Sequence, residues 1–177
     1  MTAASLAQHV SDLAAAFDVK LDVQPGMPPE FSGAGYIIVV CPQCSRKNAL
    51  RHEGASRCGA CKHPLGQHKR IHSVTIAPVT DESTYAVAMH ELGHCLHPTG
   101  RVNEYEGSRT MRTLNQIATL RDMRLCLLEE TSAWEWAEHN AREWTPTMQS
   151  VKDWALGAYV KHARQLGLRP DGQRVRL

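Results

Sequence analysis

Apolar positions in this chain fall into helical stripes near both ends and short extended runs between them. From Met1 to Val19 the apolar residues recur at helical spacing, with Asp12 and Asp18 among the polar ones, which predicts an amphipathic helix. Pro25-Gly26-Met27-Pro28-Pro29 and Ser32-Gly33-Ala34-Gly35 are loop signals that separate it from the first extended run. Tyr36-Ile37-Ile38-Val39-Val40 reads as one strand, and Ser73-Val74-Thr75-Ile76-Ala77, closed by Pro78, as another. Asp81-Glu82-Ser83-Thr84 then offers capping oxygens for a helix whose apolar positions are Tyr85, Ala86, Val87, Ala88, Met89, Leu92 and Leu96, and which Pro98-Thr99-Gly100 ends. A longer helix is expected over Leu114 to Trp144, and Thr145-Pro146 caps a last one through Leu166, closed by Gly167. Trp134, Trp136, Trp144 and Trp154 read as helix-packing aromatics. The pattern predicts an α+β fold, a small twisted sheet with helices.

The chemistry sits in the middle of the helix predicted after the second strand, at His90-Glu91-Leu92-Gly93-His94. Side chains at i and i+4 lie one above the other on a helix, so His90 and His94 can grip one zinc ion. Glu91 projects about 100° round from His90, suiting a residue that polarises water without ligating the metal. The preceding strand, Ser73 to Ala77, would let an extended peptide pair beside the metal. Two ligands do not complete a catalytic site. His97 stands about 10.5 Å further along the helix axis than His90, too far to share an ion, and reads as a helix-end cation. The better third ligand lies in Glu129-Glu130-Thr131-Ser132-Ala133-Trp134-Glu135-Trp136-Ala137. Glu130 opens a stripe of Ala133, Ala137 and Ala141, whose small side chains permit close helix approach. Glu129 opens a different stripe and ranks second; a solvated acidic face is the alternative for both.

These two elements together resemble the ImmA/IrrE family of zinc metallopeptidases, which pair His-Glu-x-x-His with a downstream Glu-x-x-Ala-x-x-Phe-Ala. Here Glu130-Thr131-Ser132-Ala133-Trp134-Glu135-Trp136-Ala137 carries the second element, with Trp136 at the Phe position. The resemblance spans about Ser73 to Ala141. It implies a zincin-like core in which His90, His94 and Glu130 bind the catalytic zinc and Glu91 is the general base. It also implies an intracellular regulator, several members being thought to cleave transcriptional repressors. SprT-like peptidases share the His-Glu-x-x-His motif and a zinc ribbon, but theirs usually follows the catalytic part.

In this chain a ribbon precedes it. Cys41-Pro42-Gln43-Cys44 and Cys58-Gly59-Ala60-Cys61 are two Cys-x-x-Cys knuckles that can give four thiolates to a structural zinc. Disulfides are the competing reading. The first helix has neither the positive start nor the unbroken apolar core of a secretory signal, and no run approaches the ~18 apolar residues of a membrane span. The expected compartment is therefore cytoplasmic, where thiols stay reduced. Cys95 and Cys126 read as buried small hydrophobes. With 42% hydrophobic and 21% charged residues in 177, the composition is that of a folded domain. Formal net charge is only +2, yet it is unevenly distributed. Arg46, Lys47, Arg51, Arg57, Lys62, Lys69 and Arg70 face one acid, Glu53, between Arg46 and His72. A four-thiolate zinc removes about two of those charges. Nucleic acid or an acidic protein are the partners such a patch suits, although no aromatic interleaves it to stack on bases. His52, His63, His68 and His72 add charge only in acid.

The expected organisation is an N-terminal helix and loop (1–35), a strand with the ribbon inserted between two strands of the main sheet (36–72), a metallopeptidase core (73–168) and a frayed tail (169–177). Thr99 to Thr113 would cover the cleft, bringing Glu104, Tyr105 or Glu106 to it; Tyr85, Tyr105, His97 and His139 are possible oxyanion donors, with a structural role the preferred reading of each. Hydrolysis of a protein or peptide substrate is the expected activity. A ribbon-based nucleic-acid or protein adaptor, with a structural or vestigial second metal site, is the alternative.

Overall fold

The computed structural model describes residues 1–34, 37–45, 47–50, 57–58, 60–64, 72–96 and 120–168. Helix α1 (Ala3–Ala16) starts where the Thr2 hydroxyl accepts the Ser5 N–H, and it turns Leu6, Val10 and Ala14 inward at successive i+4 positions. It stops three residues before Val19. Asp18 adopts φ 56°, a left-handed conformation that Asp tolerates better than most side chains, and the chain reverses into β1 (Val19–Val23). The helix predicted through Val19 is thus corrected. Val-Lys-Leu-Asp-Val has a period of two, with Val19 buried, Leu21 partly so, and Lys20 and Asp22 exposed.

After a 3-10 turn (Pro29–Phe31) come β2 (Gly33–Ala34), β3 (Ile37–Val40), β4 (Lys47–Leu50) and β5 (His72–Ile76). The main sheet has the order β1-β5-β2. β1 runs parallel to β5 with Val19 opposite His72 and Val23 opposite Ile76, while β2 is antiparallel, Gly33 opposite Thr75. β3 pairs instead with β4 in a separate antiparallel ribbon, Ile37 opposite Leu50. The expectation that the strand of Tyr36 to Val40 belongs to the main sheet is therefore corrected: the insertion opens between β2 and β5, and β3 is part of it. Among the described residues β5 is the central strand, paired with β1 from His72 to Ile76 and with β2 at Val74 and Thr75, so an extended peptide expected along it finds both sides taken at those two residues. The edges are β1 and β2.

Helix α2 (Glu82–Leu96) leaves β5 through a reciprocal cap. The Asp81 carboxylate accepts the Thr84 N–H at 2.8 Å, and the Thr84 hydroxyl accepts the Thr80 and Asp81 N–H groups at 2.9 and 3.0 Å. The Thr84 N–H holds the Asp81 carboxyl below its usual range, against a smaller opposing effect of burial. Asp81→Ala is expected to cost about 1 kcal/mol at neutral pH, measured by urea denaturation. Because the folded pKa is depressed, that contribution is present above about pH 4 and fades as pH falls through the folded value.

α2 is buried on most of its circumference, with Tyr85, Ala86, Ala88, Met89, His90, Leu92, Gly93 and Cys95 all inside. Helix α3 (Leu120–Asn140) lies across it, and helix α4 (Pro146–Gln165), begun by Thr145 and Pro146 as expected, closes the layer. α3 ends before the predicted Trp144, with the Asn140 amide donating back to the Trp136 carbonyl at 2.8 Å. Thr145 also donates to Glu82 at 2.7 Å, which ties the starts of α4 and α2. One apolar core joins Leu6, Val10, Val19, Val74, Ile76, Tyr85, Met89, Leu92, Trp134 and Met148, so the N-terminal segment and residues 73–168 share it. A smaller cluster of Met123, Cys126, Leu127, Ala163 and Leu168 fills the space between α3 and α4. Trp154, expected to pack between helices, is 80% exposed. It borders an apolar groove lined by Pro29, by Val87 of α2 and by Val151 of α4. Among the described residues no helix is long and apolar enough to cross a membrane.

Candidate metal centres

Helices α2 and α3 approach closely at Gly93 and Ala133. A Cβ on Gly93 would stand 2.4 Å from the Ala133 carbonyl oxygen, so only glycine admits this contact. Ala133 and Ala137 are buried along the same line. One turn before Ala133, Glu130 faces the two histidines that flank Gly93 on α2. The His90 and His94 Nε2 atoms are 3.0 Å apart, Glu130 Oε2 is 3.3 Å from His90 Nε2, and Glu130 Oε1 is 3.7 Å from His94 Nε2. N and O donors about 2.0–2.1 Å from a tetrahedral zinc are roughly 3.3 Å from one another. The His-His-Glu group is thus compatible with one metal ion in both donor type and spacing.

Its electrostatics favour a cation. Burial pulls the His94 imidazole down, but the charge of Glu130, the nearby Glu129 carboxylate and the charge of Glu91 override it and lift the group to about 9. For Glu130 burial pushes upward, and His94, His90 and a hydrogen bond from the Tyr159 hydroxyl outweigh it, leaving the carboxyl below its ordinary value. The field that holds a proton on His94 would also attract a divalent cation. Glu91 is not one of the three grouped donors, yet its charge reaches His94. Glu129 does not join the group either. Its Oε1 lies 3.7 Å from Nδ1 of His94, on the opposite edge of the ring from Glu130. The His90 ring is stacked on Trp134, centroids 4.2 Å apart and planes at 19°.

The four knuckle cysteines also converge, Cys41 and Cys58 buried, Cys44 and Cys61 exposed. Sγ of Cys41 is 3.6 Å from that of Cys61, and Cys44 is 3.5 Å from Cys58. A disulfide needs about 2.05 Å, whereas sulfurs on a tetrahedral zinc stand about 3.8 Å apart. The two knuckles share a closing backbone hydrogen bond and a left-handed residue after the second cysteine. Cys41 C=O accepts Ser45 N–H at 2.9 Å and Cys58 C=O accepts Lys62 N–H at 3.0 Å, and Ser45 and Lys62 are both left-handed, at φ 57° and 62°. Such turns aim amide N–H groups at sulfur. The Cys61 N–H is the largest influence lowering the Cys58 thiol to about 6, burial opposes it, and the Ala60 N–H adds to it. A thiol so readily ionised suits metal ligation. Cys44→Ser is expected to reduce bound zinc from two ions per chain to one, measured by elemental analysis of the purified chain.

Of the candidate oxyanion donors, Tyr85 is fully buried and already engaged: its hydroxyl accepts the Arg142 N–H at 3.3 Å and lies 2.6 Å from His9 Nδ1. These contacts accord with a structural reading of Tyr85. His139 is exposed near the end of α3. His97, Glu104, Tyr105 and Glu106 lie outside the described residues, as do Arg46, Arg51, His52, Glu53, His68, Lys69 and Arg70. Cys95 and Cys126 are buried, as expected. Three contributors escape the sequence reading. Gly93 carried a usable signal, since a glycine inside a helix demands a packing reason. Trp134 was read for packing alone, and nothing local marks Tyr159 as a partner of Glu130. No family model, curated protein or solved structure matches this chain.

Proposed function

We propose that this chain is a zinc metallopeptidase with a zincin-like core, akin to the ImmA/IrrE family, acting on a protein substrate in the cytoplasm. The convergence of His90, His94 and Glu130 from two helices carries the reading. Three protein donors are the usual complement of a catalytic zinc, and four thiolates that of a structural one. Bound there, zinc supplies Lewis-acid activation of water and of a peptide carbonyl. Glu91 accepts a proton from the attacking water and passes it to the departing amine as the C–N bond breaks. Glu130 neutralises charge and fixes the imidazoles. The His90 ring is held in place by its stacking on Trp134.

The chain carrying two zinc ions is expected to cleave peptides of a random library, to lose that activity to a chelator and to regain it on zinc addition, followed by mass spectrometry. The concentration of basic residues around the ribbon supports a second reading, a nucleic-acid or acidic-protein adaptor. Salt-dependent DNA binding with no cleavage at full zinc loading would favour the adaptor.

A further inference from the structure

The two consecutive carboxylates of α3 bracket one imidazole. Glu130 Oε1 and Glu129 Oε1 each stand 3.7 Å from His94, the first at Nε2 and the second at Nδ1. Neighbouring residues on a helix diverge by about 100°, so they reach opposite edges of the ring only because α3 lies close against it. If Nε2 is the metal-facing atom, Nδ1 must carry the proton, and that N–H needs an acceptor. Glu129, with its side chain 20% exposed, is the carboxylate in position to take it. His90 differs. Its Nδ1 is buried with no hydrogen-bond partner among the described residues, and Trp134 holds its ring by stacking.

We propose that Glu129 is a positioning residue that fixes the tautomer and orientation of His94 for metal binding, while Glu130 serves as the ligand. The pair that sequence spacing left as rival ligands then has two separate tasks. A hydrogen-bond acceptor behind a ligating imidazole fixes its tautomer and ring orientation, and losing such a partner weakens metal binding by about 10–100-fold. This assignment rests on the His-His-Glu group being a metal centre.

The test is a zinc titration of the full chain against a competing chelator, with the four-cysteine site as internal reference. Glu129→Ala is expected to weaken the His-His-Glu site by about 10–100-fold and to leave the cysteine site unchanged. Glu129→Gln, whose amide oxygen still accepts from Nδ1, should recover most of that loss. Wild-type affinity in the Ala variant would overturn the proposal, and so would a Gln variant as weak as Ala, since the carboxylate would then act through charge or direct ligation. A wild-type chain that binds zinc only at the cysteines would instead overturn the metal-centre reading itself.

Discussion

Glu91→Gln is expected to lower the rate constant for peptide cleavage by about 10²–10⁴-fold, the range for loss of a general acid–base group, while both zinc ions stay bound. The asymmetry comes from where Glu91 stands. It is not among the three donors that approach one another, so its replacement by an isosteric amide leaves the metal ligands intact. Its charge is felt at His94, which is consistent with the proton-carrying role proposed for it. Because the amide cannot accept a proton, the loss should fall on kcat far more than on KM. Paired measurements of zinc content and single-turnover cleavage check both halves. Undiminished cleavage by the variant would remove Glu91 from the mechanism, and loss of one zinc would make it a ligand.

Gly93→Ala should damage the protein out of proportion to one methyl group. The added Cβ would meet the Ala133 carbonyl at 2.4 Å and its Cα at 3.0 Å, backbone atoms of a helix buried on that side, so the two helices must move apart. Overpacking of this kind costs about 1–3 kcal/mol. The same displacement carries Glu130 away from His90 and His94, so the expected loss of stability comes with weaker zinc binding at that site alone. Gly157→Ala is the control. Gly157 lies within α4, with nothing inside 4 Å of the would-be Cβ, and the change should stabilise by roughly 0.5–1 kcal/mol through helix propensity. Denaturation at saturating zinc, with a titration of each variant, separates these outcomes. Gly93→Ala at wild-type stability would show that the helices are not in contact as described.

What was legible in the sequence is whatever depends on short spacing. The i, i+4 histidines, the two Cys-x-x-Cys turns, the Asp81 cap and the Thr145-Pro146 start of α4 all depend on residues within a few positions of one another. The Ala133 and Ala137 stripe was legible too, because a helix face has a fixed period. β1 is hidden in the sequence because an amphipathic helix ends only three residues before it, and Asp18, although it tolerates the left-handed conformation at the break, is equally at home on a helix's polar face. The assignment of Tyr36 to Val40 to the main sheet failed for a different reason. An apolar strand states that it must pair but not with which partner, and the hairpin with β4 was the nearer choice.

By itself, then, the sequence determined the donor types, the helix faces that present them and the two knuckles, since these are properties of local geometry. Only the tertiary structure decided that Glu130 meets the histidines while Glu129 stands behind His94, and that Tyr85 is already engaged. It also decided that β5 is enclosed by two neighbours. Those outcomes depend on how closely two helices approach, and that approach brings together Gly93 and Ala133, each of which carries a local signal for close packing but none for its partner.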